Sequence, residues 1–259
     1  MKIGISSGCY AGISLKREIE LLQKNGVDAT FLGCDENTTD AVKKMRKAGI
    51  AVDNFHAPFR NVNAIWLPGE EGELALKQFT DAAELAAKNQ VPTIVVHISS
   101  GVTPPMISDV GNERFARLMK RAGELGITVA YENQRKLANL ALMFEYYPEA
   151  RFCWDVGHEA CFADGMEYMP LFGKKLAALH IHDNSKLPNE DLHMIPYDGA
   201  IDFDRTAELI AKSGYEGTVM LEIGNWGSPL YQNLSDEDYY ARAASAARRL
   251  ADTIEKCKN

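Results

Sequence analysis

Six histidines are scattered through the chain, and each stands at the end of an apolar, β-forming run or beside a carboxylate. His56 closes Asn54-Phe55-His56, and His97 closes Val95-Val96-His97. Asp155 and His158 share Trp154-Asp155-Val156-Gly157-His158, His180 and His182 share Leu179-His180-Ile181-His182-Asp183, and His193 follows Asp191. Glu132 and Glu222 end two further runs, Val129-Ala130-Tyr131-Glu132 and Val219-Met220-Leu221-Glu222. If the fold gathers these groups, carboxylates crowded at low dielectric cost on the order of several kcal/mol unless something neutralises them. A divalent cation does so, and nitrogen and oxygen donors without thiolate suit Mn²⁺, Mg²⁺, Co²⁺, Fe²⁺ or Zn²⁺. Such an ion polarises a carbonyl or phosphoryl oxygen while a nearby carboxylate takes a proton. Ser6, Ser7 and Cys9 offer nucleophiles with no histidine close in sequence, so they are read as lining.

These groups need a scaffold that delivers distant stretches of chain to one place. Short β-rich runs at 2–7, 27–32, 50–56, 93–98, 128–132, 152–156, 176–182 and 218–223 alternate with amphipathic stretches. The clearest helical patterns are 15–24, 73–88, 112–124, 137–146, 204–212 and 236–256, rich in alanine, leucine, lysine and glutamate. Glycine punctuates the helix ends at Asn25-Gly26, Ala48-Gly49, Gly123 to Gly126 and Ser213-Gly214, where it can take a left-handed cap. Strands separated by helices run parallel, and eight such units close a (β/α)₈ TIM barrel, here a single domain over residues 1–259. An open doubly wound sheet is disfavoured because no G-x-G-x-x-G follows an early strand. All six histidines then lie at strand C-terminal ends or just beyond, none in a helical pattern, on the face where barrel active sites are built.

Composition narrows the classes of partner. With 46% hydrophobic and 25% charged residues, the chain has the balance of a globular protein with a substantial core. No run of about 18 apolar residues occurs and the N-terminal run is short for a signal peptide, so a cytoplasmic protein with no membrane partner is expected. Five scattered cysteines without a C-x-x-C pair read as reduced thiols. A net charge of −8, no basic cluster and short loops after the strands argue against a nucleic-acid partner. Phe59, Trp66 and Trp226 fall in or near the loops of the same face, where each packs locally or stacks on a flat ligand. The charges of the final helix read as a solvated face, and a homo-oligomer is left open.

Taken together, Glu132-Asn133-Gln134, Asp155-Val156-Gly157-His158, His180-Ile181-His182-Asp183 and Leu221-Glu222-Ile223 resemble the xylose-isomerase-like barrels, which include sugar isomerases and epimerases and the type-four AP endonucleases. The resemblance covers essentially the whole chain and implies that Glu132, Asp155, His180 and Glu222 hold the principal metal. It further implies that His158 and Lys186 contact substrate oxygens, and that Glu132 and Glu222 move a proton beside a carbonyl through a metal-stabilised enediolate. Endonuclease-like relatives hold three zinc ions, and His56, His97, His158, Asp191 and His193 match the extra positions, so one to three divalent ions (Mn, Mg, Co or Zn) are expected per chain. His56 and Trp226 are also candidates to line the substrate, and His182 is left outside the metal shell. Pro196-Tyr197-Asp198-Gly199 stands where sugar-isomerase relatives carry Pro-Gly-Glu-Gly, which reshapes a mouth loop. The expected function is a metal-dependent sugar isomerase or epimerase. The alternatives are an AP-endonuclease-like phosphodiesterase, an inositol-catabolism-type dehydratase and a non-catalytic sugar-binding barrel.

Overall fold

Eight short strands all run parallel, so every C-terminal end faces the same way. The computed structural model describes residues 1–258. The strands are β1 (Ile3–Ile5), β2 (Ala29–Gly33), β3 (Ala51–His56), β4 (Thr93–His97), β5 (Thr128–Glu132), β6 (Arg151–Asp155), β7 (Leu176–His180) and β8 (Val219–Leu221). Each pairs with its sequence neighbour, β8 pairs with β1, and one parallel bridge from Ile181 to Leu221 joins the remaining edges into a nearly closed (β/α)₈ barrel. Between and after the strands lie α1 (Leu15–Lys24), α2 (Thr38–Lys47), α3 (Glu70–Lys88), α4 (Asp109–Leu125), α5 (Leu137–Tyr146), α6 (Val156–Phe162), α7 (Met169–Phe172), α8 (Phe203–Ser213) and α9 (Asp236–Lys258).

The helices form where the sequence supplies an apolar stripe and a stop. α4 begins at Ser108, whose side chain accepts from Gly111 N, and ends on Gly126 in the left-handed region. Its buried residues Phe115, Leu118, Met119 and Ala122 follow helical spacing and pack into the layer between helices and barrel. Buried Arg114 ties α4 to α3 and the loop before it, donating to the carbonyls of Ile65, Leu67 and Gly69 and to Glu73.

Inside the barrel the period of two along a strand sets what lies beneath the polar rim. Val95, Ala130, Cys153 and Ala178 form one buried interior cluster, and each sits two residues before His97, Glu132, Asp155 or His180. Met220 stands two residues before Glu222 in the same manner, clustered with Ala29 and Phe31. The rim side chains therefore share the inward face with an apolar floor that keeps water from beneath them.

Three expectations need correction. The run 176–182 leaves the ladder after His180, because Ile181 makes only the closing bridge. His158 lies in the first turn of α6 rather than at a strand end, since Asp155 caps that helix by accepting from His158 N at 2.6 Å. The loop after β7, residues 181–202, is long rather than short. It is folded on itself by Asp183, whose carboxylate accepts from Asn184, Gly199 and Ile201 and whose backbone pairs antiparallel with Met194.

Candidate metal centre

Glu132, at the tip of β5, is fully buried and ringed by imidazoles. Its Oε2 lies 2.7 Å from His97 Nε2 and 3.3 Å from His56 Nε2, while Oε1 lies 3.2 Å from His180 Nδ1 and 3.3 Å from His158 Nδ1. His180 Nδ1 is also 3.1 Å from Glu222 Oε2, so one imidazole stands between the two glutamates. One ligand atom from each of Glu132, Asp155, His180 and Glu222 falls within 4.8 Å of the others, bringing the four principal candidates together. Three further groups meet the same limit: His56, His97 and Glu132; His56, His180 and Glu222; and His158, His182, Asp191 and His193. Glu132 thus belongs to two groups that share no histidine.

The supporting contacts explain the motif residues that carry no donor. Asn133 Nδ2 donates to the Asp155 carbonyl and its Oδ1 accepts from Asp155 N, both at 2.8 Å, which locks the ends of β5 and β6 in register. Gly157 is required by sterics: a Cβ there would lie 1.8 Å from the His182 ring. Gln134 Nε2 reaches within 3.1 Å of His158 Nδ1, and Phe31 stacks on His180 with ring centres 4.7 Å apart.

The arrangement fits a divalent cation. Asp155 Oδ2, Asp191 Oδ1 and His182 Nε2 are buried without a hydrogen-bond partner, a state that costs about 1–3 kcal/mol or more per group unless a ligand completes it. Carboxylate and imidazole donors, with no thiolate among them, are the set expected for such an ion. Without it, protons fill the role. Burial works against protonation of His158, but the charge of Asp155 and a hydrogen bond to Asp191 push it up to about 10. His193, also opposed by burial, is raised to about 9 by Asp191 and Glu222. Burial would raise the Glu132 and Glu222 carboxyls, yet neighbouring imidazoles, His180 foremost for Glu222 and His97 with His180 for Glu132, hold both below the usual carboxylate range.

A pH dependence of metal binding follows. At pH 7 the metal-free His158 and His193 carry protons that an incoming cation must displace, because the imidazole donor must be neutral. Affinity is therefore expected to rise with pH up to about 9, by about tenfold per unit for each proton released, and to fall as pH drops. Titration calorimetry in buffers of different ionisation heat measures this as proton release on binding; binding that releases no proton at pH 7 contradicts it.

Not every expected residue reaches the centre. Lys186 is exposed on the 181–202 loop and lines an outer cleft with Trp154, Glu159, Gly165 and Arg205, because its left-handed backbone (φ 61°) and the loop's self-packing carry it outward. Trp226 stands 65% exposed on the loop after β8 and belongs to no donor group. Trp66 is core, donating from Nε1 to the Ile98 carbonyl and packed on Phe115. Phe59 does meet the site, stacked on His97 with centres 4.5 Å apart. His182, left outside the metal shell on sequence grounds, lies within ligand reach of His158, Asp191 and His193, and its spacing of two from His180 on an inward-facing run is the sequence signal for that placement.

Residues 19–250 match the family described as the xylose isomerase-like TIM barrel, and the chain belongs to it. Among individual proteins it is similar to the uncharacterized protein y4fM of Sinorhizobium fredii, 27% identical over 195 residues, a match that spans 68% of this chain and 60% of that one. Of solved structures, D-psicose 3-epimerase with D-tagatose from Clostridium cellulolyticum H10 superposes with a TM-score of 0.76 at 16% identity, covering 98% of this chain and 99% of that one. The IolI protein with a bound zinc atom superposes with a TM-score of 0.74 at 20% identity, covering 99% of each. At these identities the two structures establish the shared barrel.

Proposed function

We propose that the protein is a divalent-metal-dependent isomerase or epimerase that moves a proton beside the carbonyl of a small sugar or related polyol. The observation that carries this reading is the pair Glu132 and Glu222, brought from β5 and the end of β8 to either side of His180 within one four-donor group. The D-psicose 3-epimerase that shares the barrel supports the same reaction class, and the zinc bound in the IolI protein supports a metal. Glu132, Asp155, His180 and Glu222 would hold the ion, which supplies Lewis-acid polarisation of a carbonyl oxygen when bound.

The chain's own residues divide the remaining work. The Glu222 side chain is 19% exposed and Glu132 is wholly enclosed, so Glu222 is the carboxylate open to a substrate entering from the mouth. Held ionised by His180, it accepts the proton from the carbon next to the carbonyl. Glu132, against His97 at 2.7 Å and His180 at 3.2 Å, would return a proton to the opposite face of that carbon; the turnover leaves Glu222 protonated and Glu132 ionised, and exchange with solvent resets the pair. The apolar interior floor keeps bulk water from quenching the planar carbon between the two transfers.

One observation favours a second reading. The additional groups His56, His97, Glu132 and His158, His182, Asp191, His193 provide for several ions, which suits phosphodiester hydrolysis. Against it, the exposed large side chains on the loops after β3, β4 and β8 include Phe59, Val102, Met106 and Trp226, and the net charge is −8, whereas a duplex is gripped by lysine and arginine. Incubation of metal-loaded protein with ketoses, aldoses and their phosphates in D₂O tests the proposal. Deuterium at a carbon next to a carbonyl supports it; no exchange on any of them together with nicking of an abasic-site oligonucleotide replaces it with the second reading.

A further inference from the structure

A second concavity lies at the opposite end of the barrel from the donor groups. At the N-terminal ends of the strands is a cavity of about 400 Å³. Its inner end is formed by Ala178 and Met220, the residues two before His180 and Glu222, so the apolar floor separates it from the metal centre. Barrel interiors are ordinarily filled by bulky branched side chains. Here Gly4 and Ala178 supply almost no volume, and Met220 and Thr218 lie against Gly4, where a Cβ would fall 2.5 Å from Met220 Cε and 2.9 Å from Thr218 Cγ2.

Two adjacent residues of β3 bring polar groups to this cavity. The register between β2 and β3 pairs Thr30 with Val52 and then Phe31 with Asn54, so Asp53 has no partner and the irregularity re-aims its side chain. Asn54 pairs with Phe31, which faces inward against His180. It is 4% exposed, and its Oδ1 is buried without a hydrogen-bond partner. The Asp53 carboxylate accepts from Thr218 Oγ1 on the far side of the interior, and no lysine or arginine among the described residues pairs with it. Burial pushes its carboxyl up, more than the Thr218 hydrogen bond and the charge of Lys2 draw it down. Lys2 and Glu216 stand exposed at the outer edge, where water screens both. The rest of the wall is largely apolar, with Val52, Pro92, Leu179 and Met220.

A carboxylate without a cation, next to a bare amide oxygen, suits a ligand that brings donors and positive charge. Buried acceptors left unpaired cost free energy, and hydrogen bonds to charged groups are the strong ones. The apolar wall suits a hydrocarbon body behind that charge. We propose that this cavity binds a small primary ammonium compound, its –NH₃⁺ held by Asp53 and Asn54 and its apolar part against Pro92, Leu179 and Met220. An anion is disfavoured by the Asp53 charge, and a neutral alcohol would leave that buried carboxylate without a counter-charge.

The inference is independent of which reaction the barrel performs, and its test needs no turnover. Magnesium-loaded wild type and Asp53→Asn are titrated with benzylamine, benzyl alcohol and benzoate, probes of similar shape and different charge, while the methyl signal of Met220 is followed by NMR. Wild type is expected to bind benzylamine saturably, with a shift of that signal, and to bind the alcohol and the carboxylate at least about tenfold more weakly. Asp53→Asn keeps the shape of the side chain and loses its charge, so affinity for benzylamine falls at least about tenfold. Should Asp53→Asn not fold, Asn54→Leu reads a loss of benzylamine affinity through the amide oxygen instead. Equal affinities for the three probes, benzylamine binding that survives the substitution, or no saturable shift of the Met220 signal, which would leave the cavity to water alone, overturns the proposal.

Discussion

Replacing Glu222 by glutamine is expected to lower kcat by about 10³-fold while leaving the fold and the KM for substrate within about threefold. The amide matches the carboxylate in shape but cannot accept a proton, and a positioned general base contributes about 10²–10⁴ in rate. A loss of 10³ corresponds to about 4 kcal/mol of barrier. Glu222 is the more open of the two glutamates and lies 3.1 Å from His180 Nδ1, so it both faces substrate and touches the ligand set. Metal content must therefore be measured alongside rate: a slow variant that still holds its ions has lost the base, and one that has lost them has lost a ligand. Steady-state kinetics on any substrate found by deuterium exchange provides the check, and a variant within about tenfold of wild type removes Glu222 from the proton transfer.

Stripping the divalent ions is expected to lower Tm by about 10 °C, and restoring them to reverse the loss. The centre holds Glu132, Asp155 and Glu222 in one group, and Asp155 Oδ2 has no hydrogen-bond partner to share its charge. Protonated imidazoles such as His158 and His193 compensate only partly, and their protons leave when an ion enters. An ion present at about 1,000 times its Kd stabilises the folded chain by roughly 4 kcal/mol, and each kcal/mol moves Tm by about 2–4 °C in a domain of this size. The sign follows from linkage: the ion binds the folded arrangement, so its removal destabilises, and the loss grows with pH as proton competition for the imidazoles fades. Differential scanning calorimetry with and without chelator reads the shift. A Tm unchanged within about 2 °C would mean that the donor groups are satisfied by one another.

Much of this architecture was legible because the local signals agreed with one another. β5 runs over the expected 128–132, and α1 and α5 over 15–24 and 137–146, where an apolar stripe is bounded by a cap or a turn. Donors at the ends of apolar runs were legible because a period of two places residues such as Ala130 and Glu132 on one face, and parallel strands align those faces. What local pattern does not carry is where a chain leaves the sheet. The 181–202 loop owes its course to Asp183 binding Gly199 and Ile201, contacts far along the chain, and that course sends Lys186 outward and swings Asp191 and His193 inward. The position of His182 beside His158, Asp191 and His193 is hidden for a related reason: it depends on the missing Cβ of Gly157, on a different strand–helix junction. Trp66 and Trp226 are alike as loop tryptophans in sequence, and only packing against Phe115 on α4 makes the first of them core.

Anomalous diffraction from crystals grown with manganese or zinc is the most direct measurement. The expected result is a peak within about 2.0–2.3 Å of donor atoms from Glu132, Asp155, His180 and Glu222 together, at the mouth of the barrel. A map with no peak among these four, their carboxylates paired with the surrounding imidazoles instead, would contradict the proposal that the strand ends assemble a metal centre.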